Sequence, residues 1–151
     1  MKNLALAFLR HPSGVLGLAI LVVVVGAAVL APVLYPGSPW DTVAAPFTPP
    51  GTDGMLLGSD SLGRDVAAGI VHGAKVSLMI GVASTLVALL VGVLVGAVAG
   101  YAGGRVSGVL MAITELFQSI PAFVLAILFV AILTPSVTTI TLAIALVSWP
   151  Q

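Results

Sequence analysis

The sequence predicts an all-α fold, a multi-span helical membrane protein with about four transmembrane helices, and two observations carry that prediction. Of the 151 residues, 60% are hydrophobic and only 7% charged, where soluble globular domains carry roughly 25% charged residues. The ten charged residues are also unevenly placed: none falls between Arg10 and Asp41, between Lys75 and Arg105, or after Glu115. Crossing about 30 Å of hydrocarbon takes about 20 apolar residues, and each of these intervals is longer than that.

The first span is expected from about Ser13 to Leu34, through the Leu21 to Val25 run, which closes a first segment of residues 1–35. A cleaved signal peptide is the alternative, with Lys2 and Arg10 as its basic region and Val29-Leu30-Ala31 as its cleavage site. The apolar stretch is longer than the roughly 7–15 residues of a signal core, and Pro32 follows the only suitable site.

Residues 36–74 form the one sizeable polar segment, where Pro, Gly, Asp, Ser and Thr dominate and most of the charges gather. Pro36, Pro39, Pro46, Pro49 and Pro50 exclude regular helix from its first half, because each proline removes a donor and fixes its own φ. That half reads as an extended loop. In the second half, Ser61 or Asp60 could cap a short helix from Asp65 to Gly73 lying along the membrane surface.

The remaining residues, 75–151, read as the start of a transmembrane domain. In the second span, about Lys75 to Tyr101, Ser84, Ala88, Gly92, Gly96 and Gly100 recur every four residues. Small residues at that spacing form a groove in which another helix backbone approaches closely, so this face is predicted to pack. A turn, Tyr101 to Arg105, leads to a third span from about Val106 to Leu133 that contains Glu115, Gln118, Ser119 and Pro121. Pro121 leaves the Phe117 carbonyl without its usual partner, and a kink is expected there, with the Ser119 hydroxyl compensating. Glu115 is the only ionisable residue inside a span. A carboxylate at a bilayer centre costs about 2.5–3.5 kcal/mol, which marks Glu115, Gln118 and Pro121 as pathway or hinge residues; a position near the interface, serving assembly, is the plainer reading of Glu115. The fourth span starts near Val137 and reaches Gln151 after about 22 Å of rise, so the native chain is expected to continue.

Several functions are excluded. Five Lys and Arg balance five Asp and Glu, which leaves no basic footprint for nucleic acid. There is no cysteine, and the two histidines, His11 and His72, lack metal-ligand spacing. No cofactor and no catalytic residue is predicted: paired carboxylates, Ser-Lys and H-E-x-x-H spacings are missing, as is the phosphate loop G-x-x-x-x-G-K-[ST]. His72, Trp40 and Trp149 read as membrane-interface residues. Placing the N-terminus in the cytoplasm puts Lys2, Arg10 and Arg105 inside and the polar segment outside, as the positive-inside rule favours.

The residues go further than composition. LLGSDSLGRDVAAGIVHGAKVSLMIGVAS, from Leu56 to Ser84, resembles the segment that opens the second span of the dipeptide/oligopeptide/nickel group of ABC transporter permeases, approximately L-G-T-D-x-x-G-R-D-V followed by G-A-R-x-S-L. The motif falls on Gly58, Asp60, Gly63, Arg64 and Asp65, with Ser59 for threonine and Lys75 for arginine. GVLVGAVAGYAGG, TELFQSIPAFVLAI and the N-terminal FLRHPSGVLGLAIL are similar to the family's glycine-rich second span, kinked third span and first-span entry. After the double glycine the family places an aromatic and an acidic residue, where this chain has Arg105, Val106 and Ser107.

The resemblance implies a type I ABC permease-like fold of six spans, of which the chain holds the N-terminal part. It implies a non-catalytic permease subunit of an ATP-driven importer for peptides or a related solute such as nickel, in a bacterial or archaeal inner membrane. Implied partners are a second permease subunit, cytoplasmic ATPase subunits, and a periplasmic or lipid-anchored substrate-binding protein. The ATPase-docking helix of the family would start just after Val147 to Gln151. The segment from Asp60 to Lys75 would face the binding protein, although an Arg64 network with Asp60 and Asp65 that orders the loop is the favoured role. A small membrane scaffold, or a truncated permease without transport activity, is the alternative.

Overall fold

Pro12 opens the first helix, α1 (Pro12–Leu34), from the first helical position, where its missing N–H costs nothing and its fixed φ suits the helix. A computed structural model describes Phe8 and residues 10–151; Lys2, on which the orientation reading partly rests, lies outside the described residues. Four further helices follow: α2 (Val66–Ala102), α3 (Gly104–Ser119), α4 (Ala122–Ile132) and α5 (Val137–Ser148). No strand occurs among the described residues, only two isolated bridges, Thr42 with Arg64 and Ser59 with Asp65.

The helices are built for lipid. α1 rises about 34 Å and α2 about 55 Å at 1.5 Å per residue, and both are long and apolar enough to cross a membrane. The buried side chains are small, among them Ala28, Ala31, Ala88, Ala99, Ala143, Ala145 and Ser84, while Leu, Ile, Val and Phe side chains point outward along every helix. A water-soluble fold shows the reverse. Where lipid surrounds the helices, burying a large apolar group gains little, and close approach over small residues is what holds them.

Three expectations change. The third span is not one kinked helix but two, α3 and α4, bent by 83° at Ile120 and Pro121. Ile120 and Pro121 are both extended, with ψ 128° and 120°, as expected of a residue preceding proline and of a proline ending a helix instead of kinking it. The Phe117 carbonyl accepts from the Ile120 N–H, and the Ser119 hydroxyl donates to Leu116 O instead. Among the described residues there are therefore two helices long and apolar enough to span, and a third if the bent pair counts as one. α5, the start of the expected fourth span, is a 12-residue apolar helix packed on α4; the Ser136 side chain caps it by accepting from the Thr139 N–H.

The second change concerns the helix from Asp65 to Gly73, which is not separate. It forms the first turns of α2 and continues without a break to Ala102, because nothing between Val66 and Ala102 is a proline. Its cap is neither Ser61 nor Asp60: the Asp65 carboxylate accepts from the N–H groups of Ala67 at 2.8 Å and Ala68 at 3.2 Å, a carboxylate at the positive end of a helix.

The third change is the polar segment. It is irregular, as its prolines require, yet it is not an extended loop. Its two halves fold onto each other: Val43 and Ala44 N–H groups donate to Gly63 O, Phe47 N–H to Asp60 O, and Ser59 N–H to Thr48 O. Met55 and Ser59 form a small interior. The chain divides into two compact units, one ending at Leu78 and one running from Met79 to Gln151; the first contains α1 and the loop, the second most of α2 with α3 to α5.

Candidate functional site

In the first unit, each residue of the loop motif has a definable local task. Gly58 and Gly63 take φ of +75° and +73°, where a side chain is strained. Both also face backbone: a Cβ on Gly58 would stand 2.2 Å from Thr48 O, and on Gly63 2.1 Å from Ala44 O. Between them, the Asp60 carboxylate accepts from the N–H groups of Leu62 at 2.7 Å and Arg64 at 2.9 Å. The Arg64 bond in particular holds the Asp60 carboxyl below its ordinary pKa, against a smaller opposing effect of burial, with help from the Leu62 bond and the Arg64 charge. Ser59, which stands where the pattern has threonine, is buried, accepts from Thr48 N–H and donates to Ala45 O.

Arg64 corrects one expectation. Asp60 and Asp65 use their carboxylates on backbone N–H groups, and the Arg64 guanidinium lies over the Trp40 ring, 5.2 Å from its centroid. The Arg64 side chain adds a cation–π contact to the loop's hydrogen bonds instead of pairing directly with either carboxylate. His72 has a task that sequence reading missed: its Nε2 is 3.0 Å from the Tyr35 carbonyl, at the C-cap of α1. A lone histidine after a glycine-rich stretch gives no sequence signal for that contact.

The second unit holds the candidate pathway site. A cavity of about 730 Å³ is lined by residues of α2, α3 and the turn after α5, including Ala88, Gly92, Gly96, Glu115, Gln118 and Trp149. The sequence places Ala88, Gly92 and Gly96 in a packing face and Glu115 and Gln118 in a pathway; the structure brings the two groups to one cavity. Ser84, Gly100 and Pro121 do not line it. Ser84 and Ala88 are buried, Gly92 is half-buried, and Gly96 and Gly100 are exposed, so the predicted face is packed over its first half only. The helix repeats every 3.6 residues, and a four-residue stripe drifts around it; accordingly Ala99 is buried where Gly100 is not.

Trp149 is not merely an interface anchor. Its ring meets Phe117 edge-on at 5.5 Å, its carbonyl stands where a Cβ on Gly92 would come within 2.8 Å, and the next carbonyl, Pro150, accepts from the Gln118 side-chain amide. Gly92, Phe117 and Gln118 thus fix the end of α5 against α2 and α3. Glu115 is exposed on the cavity wall. One carboxylate, one amide and a glycine-lined wall can bind and orient a polar solute but supply no acid/base pair. Among the described residues no group of His, Cys, Asp or Glu is placed to hold a metal ion.

Two family models match the chain. Residues 92–151 match the binding-protein-dependent transport system inner membrane component, and residues 2–50 match the N-terminal TM domain of oligopeptide transport permease C. The chain belongs to this permease family. It is 33% identical to the di/tripeptide transport system permease protein DppC of Pseudomonas aeruginosa over 99% of its own length and 52% of the relative's. It is 38% identical to the oligopeptide transport system permease protein OppC of Escherichia coli over 94% of its length and 48% of the relative's. To the dipeptide transport system permease protein DppC of the same organism it is 38% identical, over 95% and 50%. The chain spans about half the length of the curated relatives it matches. The cavity-forming stretch of α2 from Gly92 onward and all of α3 to α5 fall inside the first match.

Proposed function

We propose that this permease chain forms one side of the path by which a peptide importer passes short peptides across a bacterial inner membrane. The observation that supports this most is the pairing of relatives named as peptide transport permeases over nearly the whole chain with a glycine-walled cavity carrying Glu115 and Gln118. A peptide presents an ammonium terminus and amide donors, and a carboxylate beside an amide side chain is a suitable pair to meet them. In this reading ATP is hydrolysed by separate cytoplasmic subunits, a second permease subunit closes the pathway, and a substrate-binding protein delivers peptide on the periplasmic side. The N-terminus is cytoplasmic and the loop between α1 and α2 is periplasmic. The Pro121 break and the packed half of the α2 face are the contacts that rearrange during alternating access.

The test is uptake of a labelled dipeptide by the full-length permease in cells lacking their own. Glu115→Gln should reduce uptake about tenfold, the effect of about 1.4 kcal/mol on one charged contact, at unchanged membrane abundance. Uptake equal to wild type would remove Glu115 from the pathway. Arg64→Ala should act the other way, lowering abundance through the lost Trp40 contact while uptake per molecule stays near normal.

A further inference from the structure

The loop between α1 and α2 has an interior of its own, yet it leaves its bulkiest apolar groups outside it. Leu56 and Leu57 are exposed, and so are Trp40, Phe47 and Leu62, at 72%, 74% and 55%. The last three sit on one pair of folded-back segments: Arg64 lies over Trp40, the Thr42 hydroxyl donates to Leu62 O, and Phe47 N–H donates to Asp60 O. Three of the loop's carboxylates are placed differently. Asp41, Asp53 and Asp65 line a cavity of about 290 Å³ between the loop, the end of α1 and the start of α2, and Trp40, Phe47 and Leu62 do not.

Phe47 sharpens the point. Its φ is +57°, a left-handed conformation that costs a bulky residue roughly 1 kcal/mol or more. Glycine or asparagine would take that position with less strain. With its side chain 74% exposed, Phe47 recovers little of that cost inside the loop, which leaves the ring free to meet something beyond it.

The height of the loop identifies what that is. α1 rises about 34 Å, close to the roughly 30 Å hydrocarbon thickness, so its C-cap Tyr35 lies at the membrane boundary. The bond from His72 to the Tyr35 carbonyl sets the first turns of α2 at the same level, and Trp40 follows only five residues after Tyr35. Tryptophan with a cation over its face, phenylalanine and leucine are the side chains that settle where headgroups meet acyl chains.

We propose that Trp40, Phe47 and Leu62 insert into the headgroup–acyl boundary, so that the loop rests on the lipid surface as a foot beside α1. The inference holds whichever side of the membrane the loop occupies, and it does not depend on the transport reading. The 151 residues contain no cysteine, which allows single spin labels in the full-length protein, with any cysteines outside this chain replaced, in vesicles of phosphatidylethanolamine and phosphatidylglycerol. Labels at Phe47→Cys and Leu62→Cys should collide with lipid-soluble oxygen about threefold more, relative to a water-soluble nickel chelate, than a label at Thr52→Cys, as expected for side chains about 5–10 Å into the boundary. If Phe47→Cys misfolds, the Leu62→Cys label carries the same comparison. Equal ratios at Phe47, Leu62 and Thr52 would overturn the proposal. So would shielding of Phe47 and Leu62 that occurs only when a substrate-binding protein is added, since the rim would then be a protein-docking surface.

Discussion

In the loop between α1 and α2, the motif carboxylates and Ser59 bond nearby backbone; around the cavity bounded by α2, α3 and α5, Gln118 holds the Pro150 carbonyl and Glu115 is left facing open space. Asp60 and Ser59 each bond two backbone partners within the loop and Asp65 bonds two in the first turn of α2, while Glu115 stands exposed on the cavity wall. The glycines differ as well: Gly58 and Gly63 of the loop motif are fixed by φ and by a facing carbonyl, whereas Gly96 on the cavity wall has nothing within 4 Å of a Cβ. A motif can therefore be fixed for folding in one region and for function in another, and substitutions separate the two.

The largest effect is expected at Gly63. Gly63→Ala puts a Cβ 2.1 Å from Ala44 O at a φ of +73°, combining a left-handed penalty with a clash against backbone that has no rotamer to escape into. Loss of more than about 2 kcal/mol is expected, seen as rapid protease cleavage within residues 36–65 and low membrane abundance. Near-normal protection of the loop would mean that its two halves are not held together at Gly63. Gly92→Ala ranks next. Its Cβ would meet Trp149 O at 2.8 Å, and the end of α5 must shift, at about 1–3 kcal/mol for overpacking. The check is a lower melting temperature in detergent together with a changed Trp149 emission.

Acid provides a third comparison. The Asp60 carboxyl is held below its ordinary pKa chiefly by the Arg64 N–H, so the folded loop binds this proton less readily than the unfolded chain. Its contribution is complete above the ordinary value of 3.8 and is lost as pH falls through the lowered value. Protease protection of the loop should weaken over that acid range. Asp60→Asn keeps an acceptor for the Leu62 and Arg64 N–H groups without the titrating charge, and should flatten the profile. An unchanged profile in Asp60→Asn would assign the acid sensitivity to other carboxylates.

Much of this arrangement is legible in the residues, and the misses have common causes. Charge-free intervals located the helices because lipid excludes unpaired charge irrespective of fold. The motif resemblance singled out Gly58, Gly63 and Asp60 but could not give their reasons, since the carbonyls that face Gly58 and Gly63 belong to Thr48 and Ala44, 10 and 19 positions away. Pro121 signalled a change of direction, yet whether a proline bends a helix by a little or divides it by 83° depends on packing that a single sequence does not contain. Burial follows the four-residue stripe at Ser84, Ala88 and Gly92 and leaves it toward Gly100, because a straight helix carries a fixed four-residue period around its axis within a few turns. Asp65 was missed as the α2 cap because Asp60 and Ser61 precede the same apolar run and satisfy the same rule.

The smallest effect on the fold should be the most informative about the cavity. Gly96→Ala adds a methyl group where nothing lies within 4 Å, and alanine is favoured over glycine inside a helix by about 0.8–1.0 kcal/mol in peptides. Taken alone, this chain should be unchanged or slightly stabilised. In an importer of the proposed kind the outcome depends on what faces Gly96. If the cavity is a passage, the methyl narrows it, and dipeptide uptake should fall modestly with abundance intact. If another helix packs there through the glycine, as small-residue stripes allow, the methyl holds that helix away and abundance falls along with uptake. Measuring both quantities for Gly96→Ala beside Glu115→Gln separates a wall of the path from a contact between helices, since only a shared passage makes the two variants fail in the same way.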